Sequence, residues 1–290
     1  MRVGIFPNLA KEESEPQSRD LVALCEQYQV DYYLPEEVRR SDREFFAHIP
    51  ERHCLPHPDI FNAIDVAMVL GGDGTILKLS KEFAGCGVPI CGVNIGSLGF
   101  LYEVETGTLE DRFRDIMEGR YFLEERTMLH AELFHDDGSV QDLPEALNDI
   151  VVGHGNVGKM IRVDMYINGS FIQQYPCDGI IVSTATGSTG YSFSGGGPVV
   201  SPNVPCLLVT PICPHLLLKV PLIVNEQDQI CFTCEHSRNS TRISVDGMMD
   251  LEFTQSMTLR VRKSKRTLKL MRFKKSYFYK NLFNKLMKTK

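Results

Sequence analysis

The stretch DVAMVLGGDGT, residues 65–75, decides the fold, because an apolar strand pattern ends in a glycine turn and a helix pattern follows directly. Glycines let a phosphate group approach the backbone closely, and a helix start supplies free N–H groups and a positive dipole. Asp73 lies between glycines, where its carboxylate can orient a hydroxyl group or a metal-bound phosphate. We predict a phosphoryl-transfer site here; the alternative is a plain turn in which Asp73 caps backbone amides.

Strand and helix patterns alternate up to about residue 125, which predicts a parallel sheet with helices on its faces. In the helix after the glycine turn, Thr75 is the predicted N-cap and Gly85 the predicted stop. Between residues 35 and 62 we expect loop and short helix. The predicted strands are Arg2–Phe6, Asp31–Leu34, Asp65–Leu70 and Pro89–Val93, and the predicted helices are Arg19–Gln29, Ile76–Ala84 and Leu109–Glu118.

Beyond about Glu125 the pattern changes to short β-rich runs separated by turn residues, which predicts an all-β domain. The runs are Met128–Phe134, Ala146–Val152, Ile161–Ile167, Gly179–Ser183, Leu216–Val224, Gln229–Cys234, Arg242–Val245 and Met257–Val261. The predicted fold class is α/β plus all-β, with an N-terminal Rossmann-like α/β domain and a C-terminal β-sandwich-like domain. We place the domains at 1–125 and 126–265, and a basic tail at 266–290.

The net charge of −6 hides an uneven distribution, because Arg260–Lys290 contains 13 basic residues and no acidic one. Residues 1–259 carry 18 basic and 37 acidic side chains, a net charge of −19. With its interleaved aromatic residues, the basic segment suits either a nucleic-acid arm or a strand and short helix docked on the acidic body. We favour docking on the N-terminal domain, because the aromatic side chains need burial, and expect no nucleic-acid partner.

The composition is that of a soluble globular protein, with 43% apolar and 23% charged residues. No apolar run approaches the ~18–20 residues that span a bilayer, so we expect no membrane association. Nine cysteines without a regular framework fit a reducing compartment better than a disulfide scaffold. The expected location is the cytoplasm.

A second candidate site is the segment Asp178–Ser201, in which an apolar strand enters a stretch rich in Ser, Thr and Gly. Hydroxyl groups and exposed amides at this density can bind phosphate and sugar oxygens, and Tyr191 offers a flat face for a base. A flexible linker is the alternative. We favour a site, because a linker would not contain Tyr191, Phe193, Pro198 and Val199–Val200.

A third, weaker candidate is the pair Asn148-Asp149 at the end of a strand-like run. An amide beside a carboxylate suits the edge of a base and the diol of a ribose, although such pairs are also common in plain turns.

Two further patterns are set aside. Gly153–Gly158 fits GxGxxG, but an alternating strand pattern follows it instead of the helix that a dinucleotide fingerprint must open. Cys231 and Cys234 with His236 could suggest a zinc site, but the sequence has no second CxxC motif. Positions i and i+3 of a strand also face opposite sides of the sheet. We therefore predict no metal-ligating residues.

The three candidate motifs together resemble one family, the NAD kinases. The resemblance rests on GGDGT at 71–75, the Asn-acid pair at 148–149 and DGIIVSTATGSTGYSFSGGGPVVSP at 178–202. TPICPH at 210–215 and SVDG at 244–247 add to it. The glycine turn alone is shared with lipid kinases and phosphofructokinases, whereas the long segment is specific.

The resemblance implies an enzyme that uses ATP to phosphorylate the 2′-hydroxyl of the adenosine ribose of NAD, which gives NADP. It implies an N-terminal α/β domain and a C-terminal all-β domain with the active site between them. It further implies a divalent cation, normally Mg²⁺, and a homo-oligomer, often a dimer or tetramer.

The resemblance also assigns roles to positions of this chain. Asp73 is similar to the family's proton acceptor, and Gly74 lies beside it at the substrate. Three positions depart from the family pattern: Asp149 where Glu is frequent, Pro176 where Arg or Lys is common, and Met248 where Gln is common. The implied nucleotide contacts are Asp73, Gly74, Lys78, Asn148, Asp149, Lys159, Asp178, Ala185, Thr189, Gly190, Tyr191, Ser192, Phe193 and Ser194.

Two alternative functions remain at this point. A lipid kinase of the diacylglycerol type shares the glycine turn, but it needs an apolar acceptor cleft. A dinucleotide-sensing module would use the same pocket without chemistry, against which the intact Asp73 argues.

Overall fold

The structure is a computed structural model of the chain. No helix in the described part of the chain is both long and apolar enough to cross a membrane. The described residues are 1–96, 99–155, 160–216, 220–235, 241–274, 278–279 and 282–283.

The described residues form strands, α-helices and single turns of 3₁₀-helix. The strands are β1 (Arg2–Pro7), β2 (Asp31–Pro35), β3 (Cys54–Leu55), β4 (Val66–Gly71), β5 (Ile90–Asn94), β6 (Val104–Glu105), β7 (Phe122–Phe134), β8 (Val140–Asp142), β9 (Asp149–His154), β10 (Ile161–Ile167), β11 (Ser170–Cys177), β12 (Gly179–Thr184), β13 (Cys206–Ile212), β14 (Leu222–Asn225), β15 (Ile230–Cys234), β16 (Thr241–Val245), β17 (Met249–Phe253) and β18 (Thr258–Arg272). The α-helices are α1 (Ser14–Gln27), α2 (Glu44–Ala47), α3 (Asp59–Ala63), α4 (Asp73–Phe83), α5 (Leu109–Met117) and α6 (Tyr191–Ser194). The 3₁₀-helices are Glu36–Arg40, Glu51–His53, Thr106–Thr108 and Thr186–Thr189.

The chain divides into two compact units. The first unit comprises Met1–Glu125 and the chain from Leu268 onward, and the second comprises Arg126–Thr267. Strand β18 continues past residue 265, where we predicted the tail to begin, and Leu270 pairs with Ile90 of β5. Of the predicted tail, residues 275–277, 280–281 and 284–290 lie outside the described part.

The first unit is built on a parallel sheet with the strand order β18–β5–β4–β1–β2–β3 and with β6 beside β5. Val66–Gly71 of the central strand is buried throughout, as expected where helices cover both faces of a parallel sheet. Because the strands are parallel, the carboxyl ends of β1, β4 and β5 lie at one edge, where open α/β sheets bind ligands.

The predicted elements of the first unit are present, with two shifts at helix starts. Helix α1 begins at Ser14 rather than Arg19, because Ser14 and Ser18 turn inward and Ser18 Oγ donates to the Ser14 carbonyl at 2.7 Å. Helix α4 begins at Asp73, with Gly72 rather than Thr75 as N-cap. Gly85 follows the helix with a φ of 77°, which fits its predicted role as a stop.

The second unit contains two antiparallel sheets, which confirms the predicted all-β fold. One has the order β14–β13–β12–β9–β16–β17, and the other joins β11, β10, β15 and β18, with β7 beside β18 and β8 beside β7. Buried apolar side chains from both sheets form one core, as in a sandwich. They include Val152, Ile180, Val182 and Leu207 from the first sheet and Val163, Phe232, Leu259 and Val261 from the second.

Sequence patterns missed four strands of the second unit, of which the shortest, β8, is exposed at all three residues. Central strand β13 is buried on both faces and shows no alternation. Edge strand β11 has three exposed residues at its start and contains Pro176. Strand β17 follows β16 through a tight turn at Asp246-Gly247, where both φ angles are positive, as in type I′ hairpins.

A buried arginine links the end of β18 to the segment after β5 within the first unit. Arg272 is 2% exposed. Its Nε donates to Glu124 at 2.8 Å, its Nη1 donates to the Leu101 carbonyl at 3.0 Å, and Glu103 lies 3.7 Å away. Burial raises the pKa of Glu103, and the charge of Arg272 opposes that shift. Removing the cation would therefore leave buried carboxyl groups without their partner.

Replacing Arg272 by Met should lower the free energy of unfolding by about 3–5 kcal/mol, because it leaves buried carboxylates uncompensated. Equilibrium unfolding in urea measures the change. The exposed Lys274→Met variant is the matched control and should stay within about 0.5 kcal/mol of wild type. An Arg272→Met variant as stable as that control would contradict this account of the cluster.

Candidate active site

The glycine turn lies at the carboxyl edge of the first unit's sheet, with Asp73 as the first residue of α4. The Asp73 carboxylate accepts two amide hydrogen bonds, from Phe100 to Oδ2 at 2.9 Å and from Leu101 to Oδ1 at 3.0 Å. A side chain at Gly99 would collide with this carboxylate. Each carboxylate oxygen retains a further lone pair, so Asp73 is oriented and still able to accept a proton.

Tyr102 supports the glycine turn from inside the first unit. Its side chain is 1% exposed, and its hydroxyl donates to the Gly72 carbonyl at 3.1 Å. Gly92 leaves room for the ring, because a Cβ atom there would lie 2.8 Å from Tyr102. Burial raises the pKa of Tyr102, so the phenol remains a neutral donor.

Gly74 and Lys78 are both exposed on α4. A Cβ atom on Gly74 would meet no described atom within 4 Å, so the backbone there is open to close approach by a ligand. Lys78 is one turn further along the same helix.

In the second unit, Asp246 fixes the segment that contains the Asn148-Asp149 pair. Its carboxylate accepts the amides of Leu147 and Asn148 at 2.8 Å each and of Asp149 at 3.0 Å. Its own amide donates to the Asp149 carbonyl at 2.9 Å. The SVDG motif at 244–247 therefore holds the Asn-acid pair in place, a role that sequence reasoning did not assign to it.

Asp149 and Asp246 are also coupled electrostatically. Asp149 is 5% exposed, and burial, followed by the charge of Asp246, raises its pKa to about 7. Burial also raises the pKa of Asp246, but its three amide donors oppose that shift by stabilising the charged form. We therefore place on Asp149 the proton that this pair holds near neutral pH.

The loop after β12 packs directly against the Asn148-Asp149 pair. Thr184 donates its amide to the Asn148 carbonyl at 2.9 Å, and a side chain at Gly187 would collide with that carbonyl. A Cβ atom on Gly190 would lie 3.4 Å from Asn148 Nδ2 and 3.8 Å from Asp149 Oδ2. The structure thus brings Asn148, Asp149 and Gly190 together.

The remaining predicted residues of this loop divide into internal and exposed side chains. Ser192 is buried, and its hydroxyl is paired with that of Thr210 at 2.8 Å, so it shapes the loop from inside. Ala185 is buried, and Thr189 Oγ1 donates back to Thr186 at 3.3 Å. The exposed residues, which are open to a ligand, are Tyr191, Phe193 and Ser194.

A cavity of about 680 Å³ in the second unit brings Asp178 and Tyr191 together. Its volume is within the range of small-molecule sites. The lining also includes His154 and Arg242, which sequence reasoning missed, and Arg242 forms a two-point ion pair with Asp250 at 2.7 and 2.8 Å. His154 and Arg242 are far apart in sequence, and only the pairing of β9 with β16 brings them together, so no short motif identifies them.

Of the other positions considered from sequence, Lys159 and His236 lie outside the described residues. Gly153 and His154 end strand β9, and the next described element is strand β10 rather than a helix. The thiols of Cys231 and Cys234 contact different partners, Gln229 and the carbonyl of Phe253.

Comparison with known families matches the chain to both halves of one enzyme. The family model described as "ATP-NAD kinase N-terminal domain" matches residues 4–121, and "ATP-NAD kinase C-terminal domain" matches residues 147–273.

Curated relatives and solved structures agree with these matches. The NAD kinase of Caldanaerobacter subterraneus subsp. tengcongensis is 35% identical over 98% of both chains, and that of Natranaerobius thermophilus is 31% identical over 98% of this chain and 97% of its own. Yeast NADH kinase complexed with NADH has a TM-score of 0.88 at 26% identity, covering 100% of this chain and 88% of its own. An Archaeoglobus fulgidus NAD kinase in complex with ATP has a TM-score of 0.77 at 26% identity, covering 99% of both chains. These similarities give the lipid kinase alternative no support.

The raised pKa of Asp149 predicts a pH-dependent contribution to stability. Between the ordinary value of 3.8 and about 7, the folded protein holds a proton that the unfolded chain has released. This contribution is fully present below the ordinary pKa and is lost as the pH rises through about 7. The stability of wild type relative to Asp149→Asn should therefore fall by roughly 2–4 kcal/mol between pH 4 and pH 8.

Urea unfolding of both proteins across this pH range measures the difference. Asp164→Asn is the matched control, because Asp164 lies on a strand of the same unit and its carboxylate accepts a hydrogen bond from Gln174 at 2.9 Å. A pH-independent difference between wild type and Asp149→Asn would contradict the assigned protonation.

Proposed function

The chain belongs to the ATP-NAD kinase family, and we propose that it transfers the γ-phosphoryl group of ATP to the 2′-hydroxyl of the adenosine ribose of NAD, which gives NADP. It is therefore an enzyme, a phosphotransferase with an alcohol group as acceptor. The observation that carries the proposal is the Asp73 carboxylate, which two amide hydrogen bonds hold at the carboxyl edge of a parallel sheet beside a glycine turn.

Asp73 is the proposed proton acceptor. A ribose hydroxyl is a poor nucleophile at neutral pH, and phosphoryl transfer through a loose transition state depends mainly on alignment and charge stabilisation. The amides of Phe100 and Leu101 fix the direction of the carboxylate, so its free lone pairs can aim the hydroxyl oxygen and accept its proton. The amides of the glycine turn and the exposed backbone at Gly74 suit contact with the phosphates.

The second unit supplies the proposed NAD contacts. Asn148 offers an amide for the edge of a base, and Asp149 offers a carboxyl group for ribose hydroxyls. Tyr191 is 49% exposed, which leaves its ring available for stacking on a base, and Asp178 lines the same cavity. The remaining proposed contacts are Lys78 in the first unit and, in the second, Lys159, Thr189, Gly190, Phe193 and Ser194. The predicted residues Ala185 and Ser192 are buried, so we propose that they shape this loop from inside rather than contact the ligand through their side chains.

A divalent cation, Mg²⁺, is part of the proposal. Mg²⁺ is commonly bound by one or two carboxylates together with substrate phosphates. Among the described residues, the one cluster of three potential ligands is His130, Glu132 and Asp142, and Glu132 is already paired with Arg260 at 2.8 Å. Among the described residues of the glycine turn, the Asp73 carboxylate is the one anionic side chain, which fits a cation held mainly by ATP oxygens. When bound, Mg²⁺ would neutralise charge on the triphosphate.

We also propose a homo-oligomer, a dimer or tetramer. Strand β11 supports this proposal, because it is an edge strand on which Phe171 is 57% exposed and Ile172 is 43% exposed. Exposed apolar side chains on an unpaired edge suit association with a second copy.

Replacing Asp73 by Asn should leave NAD binding intact and lower kcat by about 100-fold or more. The amide cannot accept the hydroxyl proton, and its NH2 group cannot accept the hydrogen bond from Phe100 or Leu101 that a carboxylate oxygen accepts. NADP formation from NAD, ATP and Mg²⁺, detected with an NADP-specific dehydrogenase, measures turnover. Calorimetric titration with NAD measures binding, and Asp20→Asn on the exposed face of α1 is the matched control.

Near-full turnover by Asp73→Asn would remove Asp73 from the proposed role. Tight NAD binding by wild type without any ATP-dependent NADP formation would instead favour a dinucleotide-sensing module.

A further inference from the structure

The side chain of Lys11 lies across two glycines at the carboxyl edge of the first unit's sheet. Its Nζ is 3.8 Å from where a Cβ atom on Gly72 would lie, and a Cβ atom on Gly96 would collide with it. Gly72 caps the helix that begins with Asp73, and Gly96 follows β5. The ammonium group therefore lies next to the glycine turn, although Lys11 is about 60 residues away in sequence.

Hydrogen bonds fix the loop that carries Lys11. The amide of Asn8 donates to the Leu70 carbonyl at 3.0 Å, and Asn8 Nδ2 donates to Thr75 Oγ1 at 2.9 Å. The Lys11 amide donates to the Asn8 carbonyl at 3.0 Å. On the other side, Arg43 donates to two carbonyl groups of the loop at 3.0 and 3.1 Å. The loop is thus tied both to the end of β4 and to the first turn of α4.

Among the residues that the structure describes, no partner accounts for the position of this ammonium group. Within the described part of the chain, Lys11 Nζ has no carboxylate within ion-pair distance and donates no hydrogen bond. Lys11 is nevertheless partly buried, unlike a lysine that extends freely into water. A lysine ammonium has three donors and no acceptor, so an anion is the ligand that completes its interactions.

Transfer of a phosphoryl group at the glycine turn requires positive charge near Asp73 and the triphosphate. Asp73 adds a negative charge to the same turn that must receive a triphosphate, and the partial charge of one helix start only partly offsets it. A lysine beside glycine-turn amides is a recurrent way to bind terminal phosphates, because it acts as a point charge that needs no fixed orientation.

We propose that Lys11 binds the terminal phosphates of the phosphoryl donor at the glycine turn and holds the γ-phosphoryl group for transfer. This inference rests on the proposed function, to which it adds a donor-binding residue on the loop after β1. It assigns to Lys11 a contact with ATP and none with NAD.

Steady-state kinetics with varied ATP at saturating NAD tests the proposal in Lys11→Met. We expect kcat/KM for ATP to fall by about 10- to 100-fold, the range that corresponds to loss of one charge-assisted hydrogen bond. Lys11→Arg should recover most of it, because the positive charge is retained. Lys81→Met, on the exposed surface of α4, is the matched control and should behave as wild type.

Calorimetric titration with inorganic tripolyphosphate and Mg²⁺ provides a readout that does not require turnover. Lys11→Met should bind tripolyphosphate at least about 10-fold more weakly, with an unchanged dissociation constant for NAD and an unchanged melting temperature. If wild type binds tripolyphosphate more tightly than Lys11→Met but makes no NADP, the inference about Lys11 holds and the proposed function is wrong.

Two outcomes would overturn the inference alone. The first is NADP formation by wild type together with unchanged ATP kinetics and tripolyphosphate binding in Lys11→Met. The second is an equal loss of NAD and tripolyphosphate binding with a lower melting temperature, because Lys11 would then only maintain the fold.

Discussion

The hydrogen bonds from the amides of Phe100 and Leu101 to the Asp73 carboxylate are the interaction on which the proposed chemistry depends. They orient a carboxylate at the start of a helix without consuming all of its lone pairs. The segment that donates them is itself held, because the buried Arg272 donates to the Leu101 carbonyl. The end of β18, nearly 200 residues away in sequence, therefore contributes to the orientation of Asp73 within the first unit.

The second unit uses the same device for a different purpose. Asp246, in a hairpin turn, accepts three consecutive amides from the segment that contains Asn148 and Asp149. The three amide donors stabilise the charged form of Asp246, so the proton that the two carboxyl groups share near neutral pH lies on Asp149. In both units, then, hydrogen bonds from backbone amides to a carboxylate fix a polar group beside a strand: Asp73 itself in the first unit, and the Asn148-Asp149 pair in the second. One such group is proposed to accept a proton, and the other is proposed to bind NAD.

Local sequence patterns predicted much of this arrangement, but they did not predict contacts between residues far apart in sequence. The glycine turn, the change to β-structure near Glu125 and the motif from Asp178 onward are continuous in sequence, so their physical meaning is local. Strand β13 was missed, because burial on both faces removes the alternation that identifies a strand. The roles of Asp246 and Lys11 were missed for another reason. Each acts on a segment far away in sequence, and the contact exists only once strand order brings the two together.

The central claim is that the second unit supplies most of the contacts to NAD, whereas the phosphates of the donor bind at the glycine turn, where Asp73 accepts the proton of the 2′-hydroxyl. Hydrogen exchange measured by mass spectrometry, with each ligand added alone, tests it most directly. NAD should slow exchange in peptides covering residues 147–154 and 178–194, and a non-hydrolysable ATP analogue with Mg²⁺ should slow exchange at residues 8–13 and 71–78. Protection of residues 147–154 and 178–194 by the ATP analogue alone, or NAD binding that leaves exchange at these residues unchanged, would contradict the account.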